Sequence, residues 1–316
     1  MEINDVRTIY IDVLNNVKKV MIGSDEVFSL IFSAALSGGH VLLEDNPGTG
    51  KTMMAKAFAK SVDADVRRVQ FTPDLMPQDI TGMNIYNQKE NEFHFIKGPV
   101  FTNILLADEI NRATPRTQSA LLEAMEEKAV TVDGETYSLN APFLVIATQN
   151  PIETAGTFPL PEAELDRFII KVTMGEMSVD NEISLLDRFI NDKPYEKLNA
   201  VINKETLSEA VETVRSVTVV SAVRRYIAEL SAATRKSGNL FSGVSPRASI
   251  DLMKMAQSFA AVSGRKFVTP DDVRFIAPYV FAHRVITSSG VHNLKEEREL
   301  IRKIVSSVNV PTEDFV

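Results

Sequence analysis

The chain has 316 residues, 44% of them hydrophobic and 24% charged, enough to bury a sizeable core and to suggest about two domains. Its 34 basic and 42 acidic side chains leave a net charge of −8, which argues against a nucleic-acid binder, whose footprint must be basic. There is no cysteine, which excludes disulfides, thiolate metal sites and thiol nucleophiles, and the four histidines (His40, His94, His283, His292) show no pair at metal-ligand spacing.

In chain order, Met1 to Tyr10 carries Glu2, Asp5 and Arg7 where a signal peptide would be apolar, and no run of roughly 18 uncharged apolar residues follows. The expected location is the cytoplasm, without membrane insertion. After Ser24, a predicted N-cap, Val27, Phe28, Ile31 and Ala35 recur at helical period and the pattern stops at Gly38 and Gly39. "HVLLE" is predicted as a short buried strand, and a helix is predicted from Thr52 to about Val62, so a glycine-rich turn lies between strand and helix. Further strands are predicted at 66–71, 103–109, 141–150 and 167–172, with helices between them such as the one opening at Thr114-Pro115. Strands alternating with helices imply a mostly parallel, doubly wound sheet. Two hairpins are predicted at 84–98 and 129–139, the second turning at Asp133-Gly134 in a type I′ turn. Phe93 and Phe95 alternate in the first; such aromatics more often pack a hairpin than touch a partner.

Beyond about residue 175 the strand runs fade. Helices are predicted through Ile183 to Ile190, from Glu205, along Val220, Val223, Ile227 and Leu230, and after caps at Ser245 and Thr269. With Pro194 in the polar "NDKPYEK" as boundary, the expectation is an α/β core over 1–193 followed by a smaller all-helical domain over 194–316.

The turn at 41–58, "VLLEDNPGTGKTMMAKAF", has the composition of a phosphate-binding loop. Gly48 and Gly50 let successive N–H groups face phosphate oxygens, and the following helix adds its positive end. Lys51 would reach the β and γ phosphates and Thr52 would offer its hydroxyl to Mg²⁺. The expected nucleotide contacts run from Asn46 through Pro47, Gly48, Thr49, Gly50, Lys51 and Thr52 to Met53. Asp45 replaces the usual first glycine; at the strand exit, a side chain directed away from the ligand would not block the loop.

In "ILLADE", Asp108 and Glu109 would emerge at the carboxyl edge of the sheet, Asp108 holding Mg²⁺ through water and Glu109 polarising the attacking water. Asn150 in "VIATQNP" is either a turn residue or an amide that orients that water. Arg247 lies in a first helical turn, an unfavourable place for a cation that a bound phosphate would offset; the alternative is a solvated arginine. Arg167 is either an ion-pair partner of Glu164 or Asp166 or a finger for a nucleotide on a neighbour. Arg112 would serve the site or pair with Glu109 or Glu123, and the pairs Arg67-Arg68 and Arg224-Arg225 read as solvated faces.

Taken in order, "LLEDNPGTGKT", "LLADEINRATPRTQSALLEAMEE", "ATQNPIETAGTFPLPEAELDRF" and "SPRAS" closely resemble the MoxR family of AAA+ ATPases, over about Val20 to Phe281. The resemblance implies an AAA+ core with a helical lid, Walker A at Gly48 to Thr52, Walker B at Asp108 and Glu109, sensor 1 at Asn150, an arginine finger at Arg167 and sensor 2 at Arg247. It further implies Mg²⁺-dependent ATP hydrolysis in a homo-oligomeric ring, usually a hexamer, with the two hairpins near its pore. The expected role is chaperone-like remodelling of a client, often with a von Willebrand factor A protein. Competing readings share the core: a nucleic-acid motor, against which the charge of −8 speaks, and a metal-chelatase motor subunit, which needs a tetrapyrrole-binding partner. A nucleotide-gated scaffold would have no need of a general base at Glu109.

Overall fold

Two helices precede the sheet. α1 (Ile3–Val17) buries Val6, Ile9, Val13 and Val17, and the Glu2 N–H donates to the Asp5 carboxylate at 2.8 Å to fix its start. The sequence reading assigns no helix here, although those positions carry the helical period. α2 (Asp25–Leu36) starts after Ser24 as predicted, but the Ser24 hydroxyl makes no cap bond. The structure, a computed structural model, describes residues 1–45, 48–150, 156–175, 177–190, 193–288 and 293–312.

The α/β part continues through β1 (Val41–Glu44), α3 (Lys51–Ser61), β2 (Val66–Gln70), α4 (Pro77–Thr81), β3 (Gly82–Asn87), β4 (Glu92–Lys97), β5 (Ile104–Asp108), α5 (Pro115–Glu127), β6 (Ala129–Val132), β7 (Glu135–Ser138), β8 (Leu144–Gln149), α6 (Glu162–Leu165) and β9 (Ile170–Val172). β2, β5, β8, β1 and β9 lie side by side in that order, each parallel to the next. β5 is buried along its whole length and β8 up to Thr148, the continuous apolar run of a sheet covered on both faces. Because β8 separates β1 from β5, the glycine-rich loop after β1 and the acidic pair at the end of β5 lie on strands one apart, at the edge where open α/β sheets bind ligands.

β3 and β4 form the first hairpin, in which Tyr86 opposes Phe93 and Asn84 opposes Phe95. Phe95 stacks on Tyr137 of the second hairpin at 4.0 Å and meets the Phe101 ring edge-on at 5.6 Å, so it packs, whereas Phe93 is 70% exposed. The second hairpin, β6 and β7, turns at Asp133 and Gly134, both at positive φ (51° and 86°), as a type I′ turn requires.

Helices follow: α7 (Val179–Phe189), α8 (Lys204–Val214), α9 (Ser221–Lys236), α10 (Pro246–Val262), α11 (Pro270–Phe281) and α12 (Leu294–Ser307). The caps at Ser245 and Thr269 form as predicted: Ser245 Oγ accepts from the Ala248 N–H, and Thr269 and Asp272 make a reciprocal capping box. Two features are absent from the sequence reading. β10 (Leu240–Ser242) and β11 (Ile286–Thr287) form a short antiparallel ribbon among the helices, and α12 buries Ile301, Ile304 and Val305 behind an Asn293 cap. α8 to α12 share one cluster of buried residues with α1, α2, α3 and the sheet, running from Ile3 to Val305, so they pack continuously onto the sheet layer, whereas α7 buries none of its residues. Among the described residues no helix is long and apolar enough to cross a membrane.

Candidate functional site at the carboxyl edge of the sheet

Gly48 and Gly50 adopt φ of 87° and 90°, a conformation that strains any side chain. A Cβ at Gly48 would meet nothing within 4 Å, so the loop is an open cradle. Asn46 and Pro47 lie outside the described residues. Asp45 turns aside from the cradle: its carboxylate accepts the Met174 N–H just beyond β9, and its carbonyl accepts Lys51 Nζ at 2.8 Å. The departure from glycine is thus spent on tying the loop to the neighbouring strand. Lys51 opens α3, with Thr52 and the half-buried Met53 behind it and Thr49 in the turn before. Burial lowers the Lys51 pKa, against the opposing pull of Asp45, Asp108 and Glu109. An ammonium that is partly desolvated gains most from an anionic ligand.

Asp108, 6% exposed, accepts from Thr148 Oγ1 at 2.9 Å and from Arg68 Nε at 2.6 Å. Glu109 sits in the left-handed region (φ 57°, ψ 50°), an arrangement that costs on the order of 1 kcal/mol and must be held by its surroundings. Three contacts do so. Its N–H donates to Thr148 Oγ1 at 2.9 Å, its carboxylate accepts from Gln70 Nε2 at 2.7 Å, and Arg112 Nε pairs with it at 3.1 Å. Arg112 therefore takes the Glu109 alternative, and Arg68 is no merely solvated cation, because from its place opposite Leu106 it reaches diagonally to pair with Asp108. Asn150 follows β8, between cradle and acidic pair, 6% exposed, with its carbonyl accepting from Asn111 Nδ2 at 3.5 Å. Among the described residues no three or more of His, Cys, Asp and Glu converge as a metal cage. Thr52 and Asp108 suit Mg²⁺, which takes few protein ligands and completes its shell with phosphate oxygens and water.

Beside the cradle, Lys18, Met21, Ile22, Gly23, Glu26 and Arg188 border a cleft of about 360 Å³, and Met21 reaches Gly50, where a Cβ would stand 3.2 Å from its Cε. Nothing in the sequence reading singles out this segment; the glycine before the Ser24 cap was the available signal.

Arg167 and Arg247 stand elsewhere. Arg167 precedes β9 and Arg247 is the second residue of α10, and both pair with Glu126 near the end of α5, at 3.2 Å and 3.0 Å. With Gly38, Gly39, His40 and Ile169 they border a cleft of about 190 Å³ at the amino edge of the sheet. The length of β1, four residues at about 3.3 Å each, separates this edge from the phosphate loop. Arg167 thus pairs with neither Glu164 nor Asp166, and Arg247 does not face the cradle of its own chain. Asp166 instead accepts from Ser245 Oγ at 3.2 Å and pairs with Arg284 at 3.1 Å; Arg284 also grips Asp251 at 2.6 Å and the Phe168 carbonyl at 2.8 Å. His40 is buried in one neutral tautomer, Nδ1 accepting from the Val145 N–H at 3.0 Å and Nε2 donating to the Met125 carbonyl at 3.1 Å; burial brings its pKa down to about 4.

The chain is similar to known proteins over most of its length. The family model for ATPases associated with various cellular activities matches residues 40–170, and that for the AAA lid domain matches 232–304. The uncharacterized protein YeaC of Bacillus subtilis is 47% identical over 95% of this chain and 94% of its own length. Chaperone MoxR1 of Mycobacterium tuberculosis is 40% identical over 93% of this chain and 80% of its own. A crystal structure assigned as an ATPase, from Cytophaga hutchinsonii, superposes with a TM-score of 0.89 at 36% identity, covering 98% of this chain and 97% of that one.

Proposed function

The chain belongs to the MoxR family of AAA+ ATPases, and from that premise we propose that it hydrolyses ATP with Mg²⁺ in a ring whose sites are each completed by a neighbour. One observation carries this reading: the cradle, Lys51, Asp108, Glu109 and Asn150 gather at one edge of the sheet, while Arg167 and Arg247 gather at the other. Two half-sites on opposite edges suit a head-to-tail contact, which closes into a ring when its rotation permits, and a hexamer is the expected closure.

In this reading the N–H groups from Gly48 to Thr52 and the Lys51 ammonium hold the phosphates, and the purine lies in the cleft beside Met21 and Gly23. Bound Mg²⁺ supplies charge neutralisation on the phosphate oxygens. Glu109, pre-set by Gln70 and Thr148, accepts the proton of the attacking water, and Asn150 orients that water. The neighbour's Arg167 and Arg247 meet the charge that develops on the transferred group. The exposed Phe93 at the tip of the first hairpin is offered to a client protein, and the relative named a chaperone supports a remodelling role, with a von Willebrand factor A protein as candidate partner and the cytoplasm as location.

The test is Mg²⁺-ATP hydrolysis per subunit across protein concentrations, beside Glu109→Gln and Arg167→Ala. The expected result is a specific rate that rises with concentration and disappears in both variants. A rate independent of concentration and indifferent to Arg167 would sink the shared-site reading.

A further inference from the structure

We propose that Glu126 is an internal stand-in for phosphate: a positioning residue that holds Arg167 and Arg247 together in the free subunit and is displaced from them when the neighbour's nucleotide arrives. The inference rests on the shared-site reading and adds a regulatory contact to it.

The geometry is that of one anion bridging two cations. Glu126 Oε2 takes Arg167 Nε at 3.2 Å and Oε1 takes Arg247 Nη1 at 3.0 Å, one oxygen to each guanidinium. Both helix ends are electrostatically misplaced without this contact. Glu126 lies in the last turn of α5, which carries no basic residue, where the negative end of the helix dipole disfavours a carboxylate. Arg247 lies in the first turn of α10, where the positive end disfavours a cation. Each misplacement is offset by the other, and would be offset as well by an anion brought from outside.

The cleft has charge to spare for such an anion. Lys128, Arg167, Arg247 and Lys254 border it together with the carboxylates of Glu126 and Asp251. Asp251 is committed to Arg284, whose side chain is only 1% exposed, so Glu126 alone answers the four cations. The backbones around the arginines are fixed by the chain of contacts from Ser245 to Asp166 to Arg284 to Asp251. What can exchange is the side-chain pairing itself. Arg167, Arg247 and Glu126 keep 28%, 41% and 39% of their side chains in water, and pairs this exposed are weak enough to be out-competed by a polyphosphate.

The experiment is the concentration dependence of ATP hydrolysis for wild type, Glu126→Gln, Glu126→Asp, Arg167→Ala and the Glu126→Gln/Arg167→Ala double variant. Loss of the competing carboxylate should lower the subunit concentration at half-maximal rate by about three- to tenfold, leaving the plateau rate within about twofold of wild type. Glu126→Asp should stay near wild type, and the double variant should be as inactive as Arg167→Ala alone. A Glu126→Gln plateau that falls, or a half-maximal concentration that does not move, overturns the proposal. Two failures are separable. If Arg167→Ala is inactive while Glu126→Gln is silent, only the stand-in role is lost; if Arg167→Ala hydrolyses like wild type, the shared-site reading is lost and the stand-in role with it.

Discussion

Lys51 is held by its own loop through the Asp45 carbonyl, and its ammonium is partly desolvated, so its removal costs ligand charge more than fold. Lys51→Ala should weaken ATP binding by about 10- to 100-fold, the worth of a charge-assisted hydrogen bond of about 1.5–3 kcal/mol, and a fluorescent-nucleotide titration would read it. Glu109→Gln should keep nucleotide affinity and lose about 10²- to 10⁴-fold in turnover, since it removes only the proton acceptor that we propose. The loop and the acidic pair are legible in the sequence by type and spacing, whereas the roles of Arg167 and Arg247 come from the family resemblance, since spacing leaves each of them an ion-pair or solvated alternative. Gln70, Thr148 and Glu126 are not legible, because a polar residue at a strand or helix end gains meaning only once the strand order β2-β5-β8-β1 sets its neighbours. His40 adds a prediction about pH. Its pKa is about 4 folded and 6.5 as the reference unfolded value, so between these the unfolded chain binds the proton that the folded chain refuses. Its contribution is full above pH 6.5 and is lost as pH falls toward 4, with a slope of at most about 1.4 kcal/mol per pH unit. The buried His283, also lowered, acts in the same direction. Urea unfolding of His40→Asn at pH 5 and 7 should show a smaller loss on acidification than wild type; an equal loss would mean that His40 does not titrate between the two states.

At the scale of elements, the two hairpins behave as one unit because Phe95 is clamped between Tyr137 and Phe101. Phe95→Ala should destabilise by about 2–3 kcal/mol, somewhat under the usual cost of deleting a fully buried ring, and should loosen both hairpins. Phe93→Ala should leave the melting temperature within about 1 °C of wild type, because an exposed side chain contributes little to packing. Thermal unfolding of the two variants side by side decides this, and equal losses would contradict the clamp. The periodicity alone marks both phenylalanines alike; which one packs depends on a second hairpin about 40 residues on, and no local pattern carries that. The same limit explains the ribbon of β10 and β11, whose strands of three and two residues are too short to show a period. α1 and α12 differ: their periods are visible, at Val6, Ile9, Val13 and at Ile301, Ile304, Val305, and weighing the first segment as a leader hides the first of them.

For the whole molecule, the proposal of two half-sites at opposite edges of one sheet makes a demand that mixing can test. Lys51→Ala subunits keep an intact arginine edge, and Arg167→Ala/Arg247→Ala subunits keep an intact cradle, so each preparation alone should be nearly inactive. When the two are mixed one to one and allowed to exchange, an interface works only where an intact cradle meets an intact arginine edge. Random assembly of a closed head-to-tail ring gives that combination at about one interface in four, so about a quarter of wild-type hydrolysis should return. A chain that supplied its own arginines would recover nothing, because no subunit in the mixture carries both halves. The return should also weaken as ionic strength rises, since partly exposed charges facing one another across an interface are screened within about 8 Å at 0.15 M salt. A mixture that stays dead at low salt, with size measurements showing that the rings do exchange subunits, would mean that the amino-edge arginines serve the fold of their own chain and leave its nucleotide to the cradle alone.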